Sequence, residues 1–290
     1  MLLAVPNFSE GRDERLIGLL SGQFTAGADL LDTHSDAVHN RTVLTMTAPA
    51  KFLGESLVRG CGACSMTIDM RRHDGAHPCV GALDVAPLVY TAADDRDPAR
   101  AAALDVARAI AADGIPVFLY GELAGSAERR ERSYFREGGL AALRERMAAG
   151  ELAPDFGPGA PHLSAGATLV TARPPLAAFN VVLKGAGMEV ALQVAAGLRE
   201  SGGGLSGVRA IAVDLGEAGP QISTNIHDPI GVPLAAVLAR ICELAEPTGA
   251  APAAAEVVGL VPEAALEGFP EDVAMPGFDR ERHVIERAAG

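Results

Sequence analysis

The chain has 290 residues, 49% of them hydrophobic and 21% charged, with a formal net charge of −13 at pH 7. That length allows one large domain or two modest ones, and the apolar content is ample for a core. The negative balance argues against a phosphate-backbone partner, and the lack of Trp with only 4% aromatic residues leaves few platforms for stacked bases.

In chain order, residues 2–5 read as a short buried strand. Residues 12–24 read as a helix, with Leu16, Ile17, Leu19 and Leu20 at helical spacing. Residues 30–33 and 42–47 read as strands joined by a polar turn over 34–40. A helix over 52–68 and a strand over 85–91 complete a βαββαβ order. Residues 98–112 follow as a helix with proline at its start, where proline is tolerated. A strand over 117–120 comes next, then a charge-rich segment over 127–149 that predicts an exposed helix, then a loop over 154–161. The second half repeats the order. It has a strand over 177–183, a helix over 190–199 ended by Gly202-Gly203-Gly204, and strands over 208–215 and 221–226. A helix over 232–244 and a strand over 256–261 close it.

Both halves match the split βαβ motif. The expected fold class is therefore α/β (α+β): two tandem ferredoxin-like βαββαβ subdomains, each a sheet with helices on one face. The boundary falls at Arg173-Pro174-Pro175, which divides the chain into 1–174 and 175–290. Ligand pockets favour domain interfaces, so a cleft is expected between the two sheets.

The first residues, Met1-Leu2-Leu3-Ala4-Val5-Pro6, have no basic n-region and too short an apolar run for a signal peptide. No stretch approaches the length of a membrane span. The expectation is a soluble, cytoplasmic protein with neither a nucleic-acid nor a membrane partner. A small anionic substrate remains compatible with the charge, because it needs only a local basic pocket. The four cysteines, Cys61, Cys64, Cys79 and Cys242, are too few for a disulfide scaffold. Cys61 and Cys64 form a CxxC, but no second pair joins them, and they read as two small buried residues on a helix.

Residues 70–84 carry the densest chemistry: Met-Arg-Arg-His-Asp-Gly-Ala-His-Pro-Cys-Val-Gly-Ala-Leu-Asp. Gly75, Pro78 and Gly81 break any helix there, and the result is a rigid loop that aims polar side chains. Pro78 restricts His77 to extended backbone angles. Histidine changes charge near neutral pH, so His77 is the candidate general base, with Arg71, Arg72 and Asp84 close in sequence. His73 and His77 are four apart, but the broken helix between them removes the usual reason to expect a metal pair, and no metal is expected. The segment from 34 to 41 reads as a hairpin turn that carries His34, Asn40 and Arg41. Arg41 suits bidentate pairing with a carboxylate, and His34 is a second titratable group. Asn7 to Gly11, with Glu10, reads both as a helix cap and as a polar strand end facing a ligand. Residues 157–166, punctuated by Gly157, Pro158 and Pro161, read as a loop whose backbone lines a binding site.

Together these segments resemble the glutamate formiminotransferases, the transferase part of formiminotransferase-cyclodeaminase. The matching stretches are Val5-Pro6-Asn7-Phe8-Ser9-Glu10-Gly11, Asn40-Arg41-Thr42-Val43, Ile68-Asp69-Met70 and Gly81-Ala82-Leu83-Asp84-Val85. Further matches are Val117-Phe118-Leu119-Tyr120-Gly121-Glu122, Pro154-Asp155-Phe156-Gly157-Pro158, Gly166-Ala167-Thr168 and Ser223-Thr224-Asn225. They run in order over nearly the whole chain. At 290 residues, the chain is expected to lack the cyclodeaminase part.

The resemblance implies two ferredoxin-like subdomains, commonly dimeric, the first of which carries the His77 loop. It implies transfer of a formimino group between 5-formimino-tetrahydrofolate and glutamate in histidine breakdown. The folate derivative is a substrate, and no metal is implied. The family's catalytic histidine sits in a Gly-Glu-His-Pro-Arg-Met-Gly-Ala motif and falls on His77. Its folate loop falls on 157–166, including Gly157, Pro158, His162, Leu163, Ser164, Ala165 and Gly166. The substrate-binding candidates are Asn7, Glu10, His34, Asn40, Arg41, Arg72 and Asp84. This chain departs from the motif at Ala76, where the family has an acid, at Cys79, where it has arginine, and at Val80, where it has methionine. His34 stands where the family often has an acid. Two other readings share these residues: a folate-binding homologue without this turnover, and a transferase of the same fold with another one-carbon donor or amine acceptor.

Overall fold

A computed structural model describes residues 2–288 and divides the chain into two compact units, Met1–Pro174 and Pro175–Gly290.

The first unit opens with β1 (Leu2–Ala4) and β2 (Asn7–Phe8). Helix α1 (Glu14–Thr25) follows, started by Asp13, whose carboxylate accepts from the Arg15 and Leu16 N–H groups at 3.0 and 3.1 Å. Then come β3 (Asp29–Asp36), β4 (Arg41–Thr47), α2 (Ala50–Thr67) and β5 (Leu83–Tyr90). Strands β3, β4, β1 with β2, and β5 lie side by side with antiparallel pairing, in the strand order of a ferredoxin-like unit. Helix α3 (Arg96–Ala112), β6 (Val117–Leu119), α4 (Arg132–Arg136), α5 (Gly139–Ala148) and β7 (Thr168–Arg173) extend this unit. Strand β7 pairs parallel to both β5 and β6.

Alternation along the strands sends side chains to two faces. Leu44, Met46, Ala86, Leu88 and Val170 pack with Leu20 and Phe24 of α1, Leu57 and Cys61 of α2 and Val106 of α3. Val85, Phe118 and Leu169 pack on the opposite face with Phe135 of α4 and Leu143 and Met147 of α5. The β5–β7–β6 end is thus covered on both faces, and not on one face as the sequence predicts.

That second layer corrects the expectation for 127–149. The segment is two helices, and Phe135, Arg136, Leu143 and Met147 are buried. Its charges do not all face water, because an ion pair described below accompanies Arg136 inside. Strand β7 is absent from the sequence reading. Thr168 to Ala172 are all buried, so no alternation of apolar and polar residues marks the strand. Strand β3 also runs further than expected and takes in His34 and Asp36, because Ser35 and Asp36 stand in register with Thr42 and Arg41.

The second unit comprises β8 (Ala177–Lys184), α6 (Met188–Leu198), β9 (Val208–Asp214), β10 (Pro220–Ile226), α7 (Leu234–Ala245) and β11 (Ala251–Val258). Its sheet order is β11-β8-β10-β9, again ferredoxin-like. Phe179, Val181, Ile222 and Ala255 pack with Val194 and Leu198 of α6 and Val237 and Ile241 of α7. The last strand begins and ends earlier than the expected 256–261. Pairing with β8 starts at Ala251 opposite Lys184, through a register shift at Pro252 and Ala254. Short helices α8 (Arg280–His283) and α9 (Ile285–Ala288) follow. Among the described residues no helix is long and apolar enough to cross a membrane.

Candidate active site

The His77 loop leaves α2 and lies against the β3–β4 hairpin of the first unit. Asn40, the hairpin residue with positive φ (48°), holds three segments together. Its Oδ1 accepts from Gly11 N at 3.0 Å, and its Nδ2 donates to the Asp74 carbonyl at 3.0 Å. Asparagine tolerates that backbone region, which frees its side chain for these bonds. Ala76 N donates to the Val38 carbonyl at 3.0 Å. A Cβ at Gly75 would lie 2.4 Å from the His39 carbonyl oxygen, so the two backbones meet only because residue 75 has no side chain.

The segment over 162–167 closes on the same loop. Met70 N donates to Ser164 O at 2.7 Å, Ala82 N to Ala165 O at 2.8 Å, and Ala167 N to Val80 O at 2.9 Å. His162 and Gly166 exchange backbone bonds at 2.8 and 3.0 Å, and His162 Nδ1 accepts from Ala165 N at 3.0 Å. Leu163 is 61% exposed at the tip. His162, Ser164, Ala165 and Gly166 are therefore joined to the His77 loop by backbone bonds within their segment and to it. Gly157 and Pro158 are exposed at the other end of the segment, where a Cβ at residue 157 would lie 3.0 Å from the Ile115 carbonyl oxygen.

His77 is half-buried and held at both ring nitrogens. Nδ1 lies 2.8 Å from the Pro78 carbonyl, and Nε2 lies 2.8 Å from Arg41 Nη1. A carbonyl only accepts and a guanidinium only donates, so Nδ1 carries the hydrogen and Nε2 presents the lone pair. Burial, followed by the charges of Arg41, Arg136 and Arg132, pushes His77 well below the ordinary histidine range. The ring is neutral at pH 7, which is the form a general base needs.

Three guanidiniums surround one carboxylate here. Asp84 is 1% exposed, and its Oδ1 accepts from Val80 N at 2.8 Å while Oδ2 pairs with Arg136 Nη2. Burial, then the charges of Arg136 and Arg132, lowers Arg41 to about 9, still a cation at neutral pH. Burial and Arg136 likewise lower Arg132. A chain of net charge −13 thus holds a local excess of positive charge beside His77, which suits an anionic substrate. Both oxygens of Asp84 are engaged, so this residue positions Arg136 and the loop.

The remaining predicted residues divide. His34, Val43, Asn7 and Val85 stand in register across β3, β4, β2 and β5 and share a face. Arg41, two residues from Val43, shares that face. Asn7 is buried, and its Nδ2 donates to the Val5 carbonyl at 2.8 Å. Glu10 Oε1 accepts from Arg12 N and Asp13 N at 2.7 and 3.0 Å, which makes it a cap ahead of α1. Arg72 is exposed, while its neighbour Arg71 pairs with Asp69 at 2.6 Å.

The structure adds Arg132, Arg136, Ser9 and His39. Ser9 Oγ donates to the Gly81 carbonyl at 2.7 Å and clamps the far end of the loop. His39 stands edge-on to His77, with ring centroids 5.8 Å apart. The signal for Arg132 and Arg136 was their spacing of four around Tyr134 and Phe135, a pattern that puts one helix face against a core. Burial pushes the Cys79 thiol up to about 11, which leaves it protonated and a poor nucleophile. Cys61 and Cys64 are buried free thiols on α2. Among the described residues, no group of three or more His, Cys, Asp and Glu is placed to hold a metal ion.

The pattern of the formiminotransferase domain, N-terminal subdomain, matches residues 1–173. The chain is 34% identical over 291 residues to the glutamate formimidoyltransferase of Streptococcus pyogenes serotype M1, covering 97% of this chain and 96% of that protein. It is 33% identical over 294 residues to that of Thermoplasma acidophilum, covering 98% and 95%. It is 38% identical over 272 residues to the formimidoyltransferase-cyclodeaminase of Sus scrofa, covering 90% of this chain and 50% of that protein. The chain spans about half the length of the cyclodeaminase relatives it matches. With its N-terminal 173 residues matched and its ferredoxin-like units in place, the chain belongs to the formiminotransferase family.

Proposed function

We propose that this chain transfers a formimino group between 5-formimino-tetrahydrofolate and glutamate, with His77 as the general base. The observation that carries the reading is the fixed tautomer of His77, whose Nε2 lone pair faces a guanidinium-rich site.

Glutamate brings two carboxylates. Arg41 pairs with one of them and turns away from Nε2. That movement removes a donor and a nearby cation from His77, so the ring becomes a stronger base as substrate binds. Nε2 then takes a proton from the amine as its nitrogen attacks the formimino carbon. A tetrahedral intermediate forms, the electron pair of the bond from that carbon to N5 of the folate passes to N5 as the bond breaks, and N5 takes a proton to leave as tetrahydrofolate, so the proton gained by His77 is balanced by one given to N5. The segment that carries His162, Leu163, Ser164, Ala165 and Gly166, hydrogen-bonded to the His77 loop, holds the folate. The resemblance also carries a homodimer, which light scattering on eluted protein would check.

The test is release of tetrahydrofolate from 5-formimino-tetrahydrofolate and glutamate, with wild type beside His77→Ala. A positioned base contributes about 10²–10⁴-fold, so the variant should lose turnover on that scale while binding folate normally. Wild-type turnover in His77→Ala excludes the base. Folate binding without wild-type turnover points to the non-transferring homologue.

A further inference from the structure

The Asp36–His39 pair has no task in the reaction described so far. His39 is 8% exposed, and its Nδ1 lies 2.8 Å from Asp36 Oδ2. Burial works to raise the Asp36 carboxyl, but hydrogen bonds from the His39 ring, His39 N and Val38 N, with the His39 charge, outweigh it and hold it at about 2. An ionised carboxylate only accepts, so Nδ1 of His39 carries a hydrogen. Oδ1 of Asp36 accepts from the Val38 and His39 N–H groups, each at 2.8 Å, so ring and backbone are oriented together.

The other nitrogen, Nε2 of His39, is buried and has no hydrogen-bond partner among the described residues. Buried polar atoms are nearly always satisfied, so such an atom marks a place that a ligand or water fills. The ring stands at 79° to that of His77, with centroids 5.8 Å apart. A proton acceptor about 3 Å from an attacking nitrogen and a donor about 3 Å from a leaving nitrogen flank one tetrahedral carbon. The unpartnered nitrogen of His39 belongs to a ring in edge contact with His77, so both imidazoles line the same site. His77 faces a cation, Arg41, and His39 faces an anion, Asp36.

We propose that His39, oriented by Asp36, is a second catalytic proton-transfer residue of this site, supplying the leaving nitrogen while His77 relieves the attacking one. This rests on the formimino-transfer reading and deepens it. The amine nitrogen forms a bond to the formimino carbon and gives a proton to His77 Nε2. The electron pair of the carbon–N5 bond passes to N5, which takes the proton from His39 Nε2. Exchange with solvent then resets both rings. His39 itself meets Asp36 and His77, while its neighbours in the hairpin meet further titratable or charged groups: Asn40 meets His73, and the Ala37 carbonyl accepts from Arg12 Nε at 2.8 Å.

The experiment compares wild type, His39→Asn, Asp36→Asn and His77→Ala as full chains. It follows tetrahydrofolate release from 5-formimino-tetrahydrofolate and glutamate between pH 5.5 and 9, tetrahydrofolate binding by calorimetry, and thermal melting. His39→Asn should lower kcat by about 100-fold, with tetrahydrofolate affinity and thermal melting retained. Asp36→Asn keeps the Oδ1 bonds and the imidazole, so it carries the test if His39→Asn does not fold. It should lower kcat in the same direction, with tetrahydrofolate affinity retained, because the ring loses the carboxylate that orients it. Wild-type kcat in both variants overturns the role of His39 and leaves that of His77 standing. A wild type that neither binds tetrahydrofolate nor turns over overturns the transfer reading, and the role of His39 with it.

Discussion

Arg41 Nη1 donates to His77 Nε2 across 2.8 Å, so the residue that aligns the imidazole also shields its reactive lone pair. The arrangement makes base strength depend on what Arg41 holds. With the site empty, a guanidinium opposes the imidazolium. With a carboxylate bound, that opposition weakens.

Replacing Arg41 with Met removes the cation and the donor while keeping an unbranched side chain. His77 should rise toward the ordinary histidine range, because a charge that disfavours its protonated form is gone. The acid limb of kcat/KM should move to higher pH, and KM for glutamate should rise about 10- to 100-fold, the range for a hydrogen bond to a charged group. A steady-state pH series reads both, and an unchanged KM would remove Arg41 from glutamate binding.

Stability should fall on the acid side of neutrality. His77 and His73 both lie below the ordinary range in the folded chain, chiefly through burial. The unfolded chain takes up their protons near about pH 6.5, where the folded chain does not. Their contribution is therefore complete above that pH and is lost as the pH falls through and below it. Asp36, held at about 2, adds stability above its unfolded value that disappears as the pH falls toward 2. Urea midpoints at pH 7.5 and 5.5 should differ in wild type and differ less in His77→Asn. Equal slopes in the two proteins would contradict the assignment.

Asp84→Asn should be among the most damaging single changes in the first unit. The amide can still accept from Val80 N, but it leaves the buried Arg136 guanidinium without its anion. Removing one partner of a buried ion pair costs about 3–5 kcal/mol. The double variant Asp84→Asn/Arg136→Met should recover part of that loss. Melting curves of the two single variants and the double one check this, and a wild-type melt for Asp84→Asn would refute it.

Gly166→Ala tests the join between the two loops. Residue 166 has φ of 73°, and a Cβ there would lie 2.1 Å from the Val80 carbonyl oxygen. The variant should lose about 1–3 kcal/mol and bind tetrahydrofolate more weakly. Gly159→Ala, in the same segment, meets nothing within 4 Å and should stay within about 0.5 kcal/mol of wild type. Equal effects of the two changes on folate binding would refute the join as a determinant.

Hydrophobic period and turn residues carry the fold, because half-buried strands and amphipathic helices write their burial into spacing. Both βαββαβ halves are legible that way, and so is the loop over 70–84, whose Gly and Pro residues rule out any regular element. His77 and Arg41 stand out for the same reason, as reactive side chains on segments too irregular for a core. Spacing says nothing of a strand buried on both faces, and so β7 became visible only through its pairing with β5 and β6. Nor does it separate a solvated charge from a paired one. Arg136 reads as surface in sequence and is inside because Asp84, 52 residues earlier, waits there. The hydrogen on His77 Nδ1, the arginines around it and the ring of His39 against it all depend on contacts between residues far apart along the chain. Tertiary structure alone decides those, since a pKa and a tautomer are set by neighbours in space.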